Sequence, residues 1–191
     1  MPLNLTEFAY IMLTKESAIN IEKWNPGQHD RSGFNCGVDR LNNFLNLSAK
    51  KQQKDGMTRI YVAVLPEDST ILGYHAINVG QMSSSEISRP PKGTPNHGEM
   101  PALFLGQIAV DIRAQGLGIG SLLIHHVFEK ARIISDEVGC YAVILDVVSD
   151  GSPNDLEKRI EWYRDFGFQS FSSNEYRMFI TIKQIREIFS S

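Results

Sequence analysis

Hydrophobic and polar positions alternate between two periods along the chain. From Val38 to about Lys54, Leu41, Phe44, Leu45 and Ser48 share one face at helical spacing, with Asp39 near the start and Gly56 after the end, which predicts a helix. Ile60 to Leu65 is a strand-sized apolar run, Pro66-Glu67-Asp68-Ser69 is a turn, and Thr70 to Val79 reads as the second strand of a hairpin. Leu103 to Asp111 and Tyr141 to Val148 are buried strands in this reading, and Met178 to Ile182 is a final one. A second helix runs from about Gly118 to Ile134. A third begins well at Ser152-Pro153-Asn154-Asp155, where Ser152 caps, Pro153 suits the first helical position and Asp155 completes a capping-box spacing; it ends at Gly167. Residues before Phe34 are mixed, with one strand-like stretch near Ala18 to Ile21, and the polar, Pro- and Gly-rich segment Ser83 to Pro101 reads as a long loop. Helix, hairpin, strand, helix, strand, helix, strand is an α+β order with a mixed sheet at its centre.

Composition narrows this picture. A chain of 191 residues with 42% hydrophobic content suits one domain spanning residues 1–191. Its net charge of −3 excludes a global positive field. Locally, Arg31, Arg40, Lys50, Lys51, Lys54 and Arg59 outnumber Asp39 and Asp55, and Arg89, Lys92 and Arg113 extend that excess. Arg40, Lys50, Lys54, Arg59 and Arg89 are therefore candidates to meet phosphates, against the plainer reading of a solvated helix face. Cys36 and Cys140 form no C-x-x-C pair, so the expectation is two reduced, partly buried thiols and no metal site. The adjacent His125 and His126 diverge on their helix and read as surface or packing residues. Met1 to Glu7 lacks a signal-peptide pattern and no apolar run is long enough to span a bilayer, so a cytoplasmic location without membrane attachment is expected.

The chemistry centres on Gln115-Gly116-Leu117-Gly118-Ile119-Gly120, between a strand and a helix. Backbone N–H groups at a helix N-terminus point outward and the helix dipole attracts anions, while glycines allow close approach and positive φ. The spacing is GxGxG, one residue short of the dinucleotide fingerprint, and no Lys follows to make a GxxxxGK loop. A ligand-free tight turn remains the alternative on spacing alone.

With Leu105-Gly106-Gln107-Ile108-Ala109-Val110-Asp111 before it, this turn resembles motif A of the GNAT acetyltransferases, whose signature is Gln/Arg-x-x-Gly-x-Gly/Ala; Gln115, Gly118 and Gly120 fill its positions. Trp162-Tyr163-Arg164-Asp165-Phe166-Gly167-Phe168 resembles the family's aromatic-Tyr-x-x-x-Gly-Phe segment. Upstream, Phe34-Asn35-Cys36-Gly37-Val38-Asp39-Arg40-Leu41-Asn42-Asn43-Phe44-Leu45 resembles the GNAT-fold toxins of type II toxin–antitoxin systems, which acetylate the α-amine of aminoacyl-tRNA and block translation. The resemblance, over about Phe34 to Phe168, implies a GNAT fold with a mostly antiparallel central sheet flanked by helices. It implies acetyl-CoA as cosubstrate and no metal. It also implies charged tRNA as acceptor, a ribbon-helix-helix antitoxin as partner, and a homodimer. Ile108, Ala109 and Val110 would present backbone groups to the pantetheine arm. N–H groups from Gln115, Gly116, Leu117, Gly118, Ile119, Gly120 and Ser121 would hold the pyrophosphate, and Tyr163 would be the general acid. Leu156 and Arg159 stand where the family often has Asn and Ala.

Acetyl transfer to an amine needs a neutral amine, a stabilised oxyanion and a proton for the leaving thiolate. An aminoacyl α-amine titrates at or below about 7.7–8.0 and needs little help, whereas a Lys near about 10.4 needs a base. His97, Glu99 and Asp111 are the base candidates, with a solvated loop charge the plainer reading for the first two and turn-shaping for Asp111. Leu156, Ile160 and Tyr163 share a helical face, so Tyr163 also reads as core; both roles hold if its ring packs while its hydroxyl faces a cleft. The low overall charge leaves a second reading open, a GNAT enzyme for a small-molecule or protein amine with no toxin role.

Overall fold

The computed structural model describes residues 19–148 and 152–190. Ala18, in the first expected strand, and the N-terminal segment Met1 to Glu7 lie outside these residues. Seven strands join in the order β1-β2-β3-β4-β5-β7-β6: β1 (Asn20–Lys23), β2 (Arg59–Val64), β3 (Gly73–Ser83), β4 (Glu99–Val110), β5 (Ala142–Asp146), β6 (Gln169–Ser170) and β7 (Arg177–Thr181). The sheet is mixed. β1–β2, β5–β7 and β6–β7 are antiparallel, and β4 pairs parallel with β5 through Ala102–Leu105 against Ala142–Leu145. The helices are α1 (Asp39–Asn43), α2 (Ala49–Lys54), α3 (Ile119–Glu137), α4 (Pro153–Asp165) and α5 (Ile182–Ile188). The chain divides into two compact units, one of residues up to Ala76 with Gln107–His126, the other of Ile77–Gly106 with residues from Val127 onward.

In the first unit, the expected helix over Val38 to Lys54 is interrupted by a π-helical turn, Phe44–Ser48, between α1 and α2. The wider turn changes which side chains point inward. Leu41, Leu45 and Ala49 are buried at four-residue spacing, while Phe44 lies half-buried with its ring stacked on Tyr74 at 5.9 Å and Ser48 is only half-buried. Gly56, at φ +77°, follows α2 as the left-handed residue that ends a helix. Ala63, Leu65, Leu72, Ala114, Ile119 and Leu123 form one core cluster of this unit, with Ile108, Val110 and Leu117 packed against it. Gly73 has a tight requirement: a Cβ there would meet the Ala109 carbonyl at 3.0 Å. The expected strand Thr70 to Val79 begins later, at Gly73, and runs further, to Ser83.

In the second unit, Met82, Ile87, Met100, Ala102, Ala142, Ile144, Phe171 and Phe179 form one core cluster. The long loop is shorter than its composition suggests. Ser83 ends β3, Ser84–Glu86 is a 3-10 turn, and Glu99, Met100 and Pro101 already belong to β4. Pro101 is compatible with a strand here because it is used as an acceptor: its carbonyl takes the Tyr141 N–H at 2.8 Å. The Ser152–Asp155 capping box forms as expected, and Gly167, φ +90°, stands just past α4. β6 and α5 had no counterpart in the sequence reading. α5 starts from a capping box of Thr181 and Gln184 and buries Ile182 and Ile185.

Candidate functional site

β4 ends at Val110 and α3 begins at Ile119, and the connection between them is built for exposed backbone donors. Gly116 (φ +77°) and Gly118 (φ +80°) adopt the left-handed conformation, and a Cβ at either would meet nothing within 4 Å. Open space thus lies over the N-terminus of a nineteen-residue helix, which suits an anion such as a pyrophosphate. Gln115, Gly116 and Gly118 are exposed, and Gly120 and Ser121 half-buried. Ile119 is buried in the core and Leu117 packs against it, so these two have only their backbone to offer. Ile108 and Val110 likewise turn their side chains to that core, leaving main-chain groups for a pantetheine arm.

Side chains fix the turn's shape. The Asp111 carboxylate, 1% exposed, accepts from the Asn35 N–H (3.0 Å), the Arg113 N–H (3.0 Å), Arg113 Nε (2.7 Å) and Arg113 Nη2 (2.9 Å). Burial pushes its pKa up, but the Arg113 guanidinium and the two backbone donors outweigh burial and leave it below the ordinary carboxylate value. All this makes Asp111 a poor base and a turn-shaping residue. Arg113 correspondingly spends its charge on Asp111 and is withdrawn from the basic excess predicted around it. The Gln115 amide donates to the carbonyls of Cys36 (3.1 Å) and Val110 (3.0 Å), so its contribution to a ligand is its N–H.

Tyr163 stands on α4 beside Ile160, both buried. Its ring packs edge-on against Trp162 at 4.9 Å and Phe168 at 5.8 Å. Burial raises the phenol pKa well above its usual value, with the charge of Arg159 opposing, so the proton is held at neutral pH. Arg159 donates to the Val148 carbonyl at 2.6 Å. The other base candidates are placed less favourably. His97 is exposed and accepts the Glu99 N–H at Nδ1 (3.2 Å), and Glu99 opens β4 at the end opposite Ile108–Val110.

Arg40, Lys50, Lys54 and Arg59 are exposed on or beside α1 and α2 in the first unit. Arg59 also donates to the Thr58 carbonyl at 3.1 Å. Arg89 belongs to the second unit, where it lines a cavity of about 490 Å³ with Glu86, Tyr141 and Phe179. Cys36 and Cys140 are free thiols whose pKa burial raises. No group of three or more His, Cys, Asp or Glu among the described residues is arranged for a metal, and no helix among them is long and apolar enough to cross a membrane.

The sequence reading missed one cluster. His126 is half-buried and its Nδ1 faces Nε2 of the fully buried His75 at 2.7 Å, so one of the two nitrogens carries the shared proton. The Tyr61 ring stacks on His75 at 5.1 Å and meets His126 edge-on at 4.7 Å. Strand alternation places Tyr61 and His75 in β2 and β3 and makes them visible as polar aromatics, but nothing local pairs them with His126. His125 is exposed.

Known proteins resemble this chain in sequence and fold. A Sinorhizobium fredii protein described as a probable TacT toxin is 33% identical over 169 residues, 88% of this chain and 93% of its own length. A tRNA-acetylating toxin of Mycobacterium tuberculosis is 23% identical over 160 residues, covering 83% and 90%. Among solved structures, AtaT complexed with acetyl-methionyl-tRNAfMet matches with a TM-score of 0.79 at 23% identity over 90% of this chain and 99% of that one. A tyrosine-to-phenylalanine variant of AtaT, bound to the C-terminus of the antitoxin AtaR and to acetyl-CoA, matches with a TM-score of 0.74 at 23% identity over 91% and 99%. Residues 57–170, more than half of the chain, match the acetyltransferase (GNAT) domain, and with the Sinorhizobium relative this shows that the chain belongs to the GNAT acetyltransferase family.

Proposed function

We propose that this protein moves the acetyl group of acetyl-CoA to the α-amine of an aminoacyl-tRNA and so blocks translation. The observation that carries the reading is the open cradle at Gly116 and Gly118 over the head of α3, in a chain whose relatives include a tRNA-acetylating toxin. The N–H groups of Gln115 to Ser121 hold the pyrophosphate, and the main chain of Ile108, Ala109 and Val110 runs beside the pantetheine arm. Acetyl-CoA supplies the activated thioester. The acceptor amine, largely neutral near pH 8, attacks the thioester carbonyl without a dedicated base. A C–N bond forms and the C–S bond breaks, the amine's extra proton leaves to water, and Tyr163 Oη gives its proton to the departing sulfur and takes one back from water. The phenol is protonated at neutral pH, as a donor must be, and burial makes it a weaker acid rather than a stronger one. Exposed Arg40, Lys50, Lys54 and Arg59 meet tRNA phosphates, with Arg89 a further candidate. The same reading includes a cytoplasmic location, a ribbon-helix-helix antitoxin and a homodimer.

Incubating the protein with labelled acetyl-CoA and total charged tRNA tests the reading. Label on the aminoacyl group is the expected result, and label found only on polyamines, peptides or free amino acids sinks it. A second reading, acetylation of a small-molecule or protein amine, draws on the net charge of −3 and on the engagement of Arg113 by Asp111, which both reduce the positive surface for RNA.

A further inference from the structure

The segment Gly33 to Gly37 contributes no reacting group to the proposed chemistry, yet it bonds to the pyrophosphate turn through Gly33, Asn35 and Cys36. Ile112 donates its N–H to the Asn35 carbonyl at 2.8 Å, and Asn35 returns its own N–H to Asp111. Gln115 Nε2 donates to the Cys36 carbonyl, and Arg113 Nη2 reaches the Gly33 carbonyl at 3.5 Å. On its other side the segment is tied to the start of the basic helix. Asn42 of α1 accepts the Cys36 N–H at 2.9 Å and donates to Asn35 Oδ1 at 3.0 Å, while Asn35 Oδ1 also takes the Gly37 N–H at 2.9 Å, closing a turn that needs Gly37 at φ +82°. The turn from Asp111 to Gly118 thus leans on residues about eighty positions earlier, and those lean on α1.

We infer that Asn35 and Asn42 are positioning residues for acetyl-CoA: they hold the Gly33–Gly37 segment as a template that sets the pyrophosphate turn, and they link that turn to the helix carrying Arg40. The physical need is plain. A turn with glycines at 116 and 118 loses more chain entropy on ordering than any other sequence would, and pyrophosphate binds tightly only if that ordering precedes the ligand. Asp111 and Gln115 transmit the template's shape through buried or doubly bonded contacts. Asn42 bonds to Asn35 and Cys36, so the effect of its loss on acetyl-CoA passes through them. The inference rests on the acetyl-CoA site of the proposed function but not on the identity of the acceptor.

The test is calorimetric binding of acetyl-CoA to the full chain, with thermal melts of each variant. Asn42→Ala and Gln115→Met each raise Kd about tenfold, the loss expected from two hydrogen bonds. The double variant costs less than the product of the two, because both act through the Cys36 segment. A folded variant of either kind binding with wild-type Kd overturns the inference, as does full multiplicativity. Hydrogen exchange on the wild-type protein needs no variant to fold: acetyl-CoA slows exchange at Asn35 to Asn42 together with the turn, and slowing confined to the turn refutes the link. Wild-type protein that binds no acetyl-CoA overturns the acetyl-CoA site and the inference together. Binding without transfer to charged tRNA overturns only the proposed acceptor.

Discussion

The glycine turn before α3 and the Tyr163 face of α4 are held in place by opposite means. The turn is polar and exposed, and its geometry comes from hydrogen bonds: four to the Asp111 carboxylate and two from the Gln115 amide. Tyr163 is 8% exposed and held by the rings of Trp162 and Phe168. The difference follows from what each must do. An anion site needs several backbone donors aimed at once, which only a directional network can set. A phenol is already protonated at neutral pH, and packing among apolar rings fixes its orientation while keeping it neutral.

The two regions separate most widely in Tyr163→Phe. The ring keeps its packing and loses its proton, so acetyl transfer falls by about 10²–10⁴ while the melting temperature and acetyl-CoA Kd stay near wild type. Stopped transfer assays beside calorimetry check this, and a variant of undiminished rate removes Tyr163 from the chemistry. Asp111→Asn strikes the polar region. Weakening four hydrogen bonds to a buried carboxylate, with the partly exposed Arg113 left without its charge partner, costs about 1–3 kcal/mol of stability, seen in denaturant melts. Its acid dependence sharpens the point. Because the folded carboxyl titrates below its unfolded value, its stabilisation is present above about pH 4 and is lost as pH falls towards the depressed folded value; Asp111→Asn therefore flattens the wild-type loss of stability below about pH 4. Gly118→Ala, with open space but φ +80°, costs about 1–2 kcal/mol in backbone strain and weakens acetyl-CoA binding, and leaves the Tyr163 environment untouched. Smallest is Thr181→Ala, which loses the α5 cap and about 1 kcal/mol in melts with no change in acetyl-CoA affinity.

Much of this was legible in the chain. The Ser152-Pro153-Asn154-Asp155 start, the Gly56 and Gly167 stops and the glycine turn all encode hydrogen bonds or φ angles within a few residues, where sequence and structure meet directly. α5 carries local signals in Thr181, Gln184, Ile182 and Ile185, but its seven residues follow β7 without a break, and only Ile182 was read, as the strand's end. The loop Ser83 to Pro101 was overestimated because Pro and Gly between 90 and 98 dominated a window whose flanks, Met82 and Met100, are buried strand residues. The π-turn was not legible: which of Leu41, Phe44, Leu45 and Ser48 points inward depends on Tyr74, whose hydroxyl donates to the Leu41 carbonyl at 2.8 Å.

By itself the sequence determined where the glycine turn stands and which helix carries Tyr163, since both rest on local spacing. Only the tertiary structure decided what Asp111, Arg113, Gln115 and His126 do. Asp111 meets Asn35 across 76 residues and Gln115 meets Cys36 across 79. Partners so far apart are chosen by how the whole chain closes and by which polar groups must be satisfied once buried, and no local pattern records that choice.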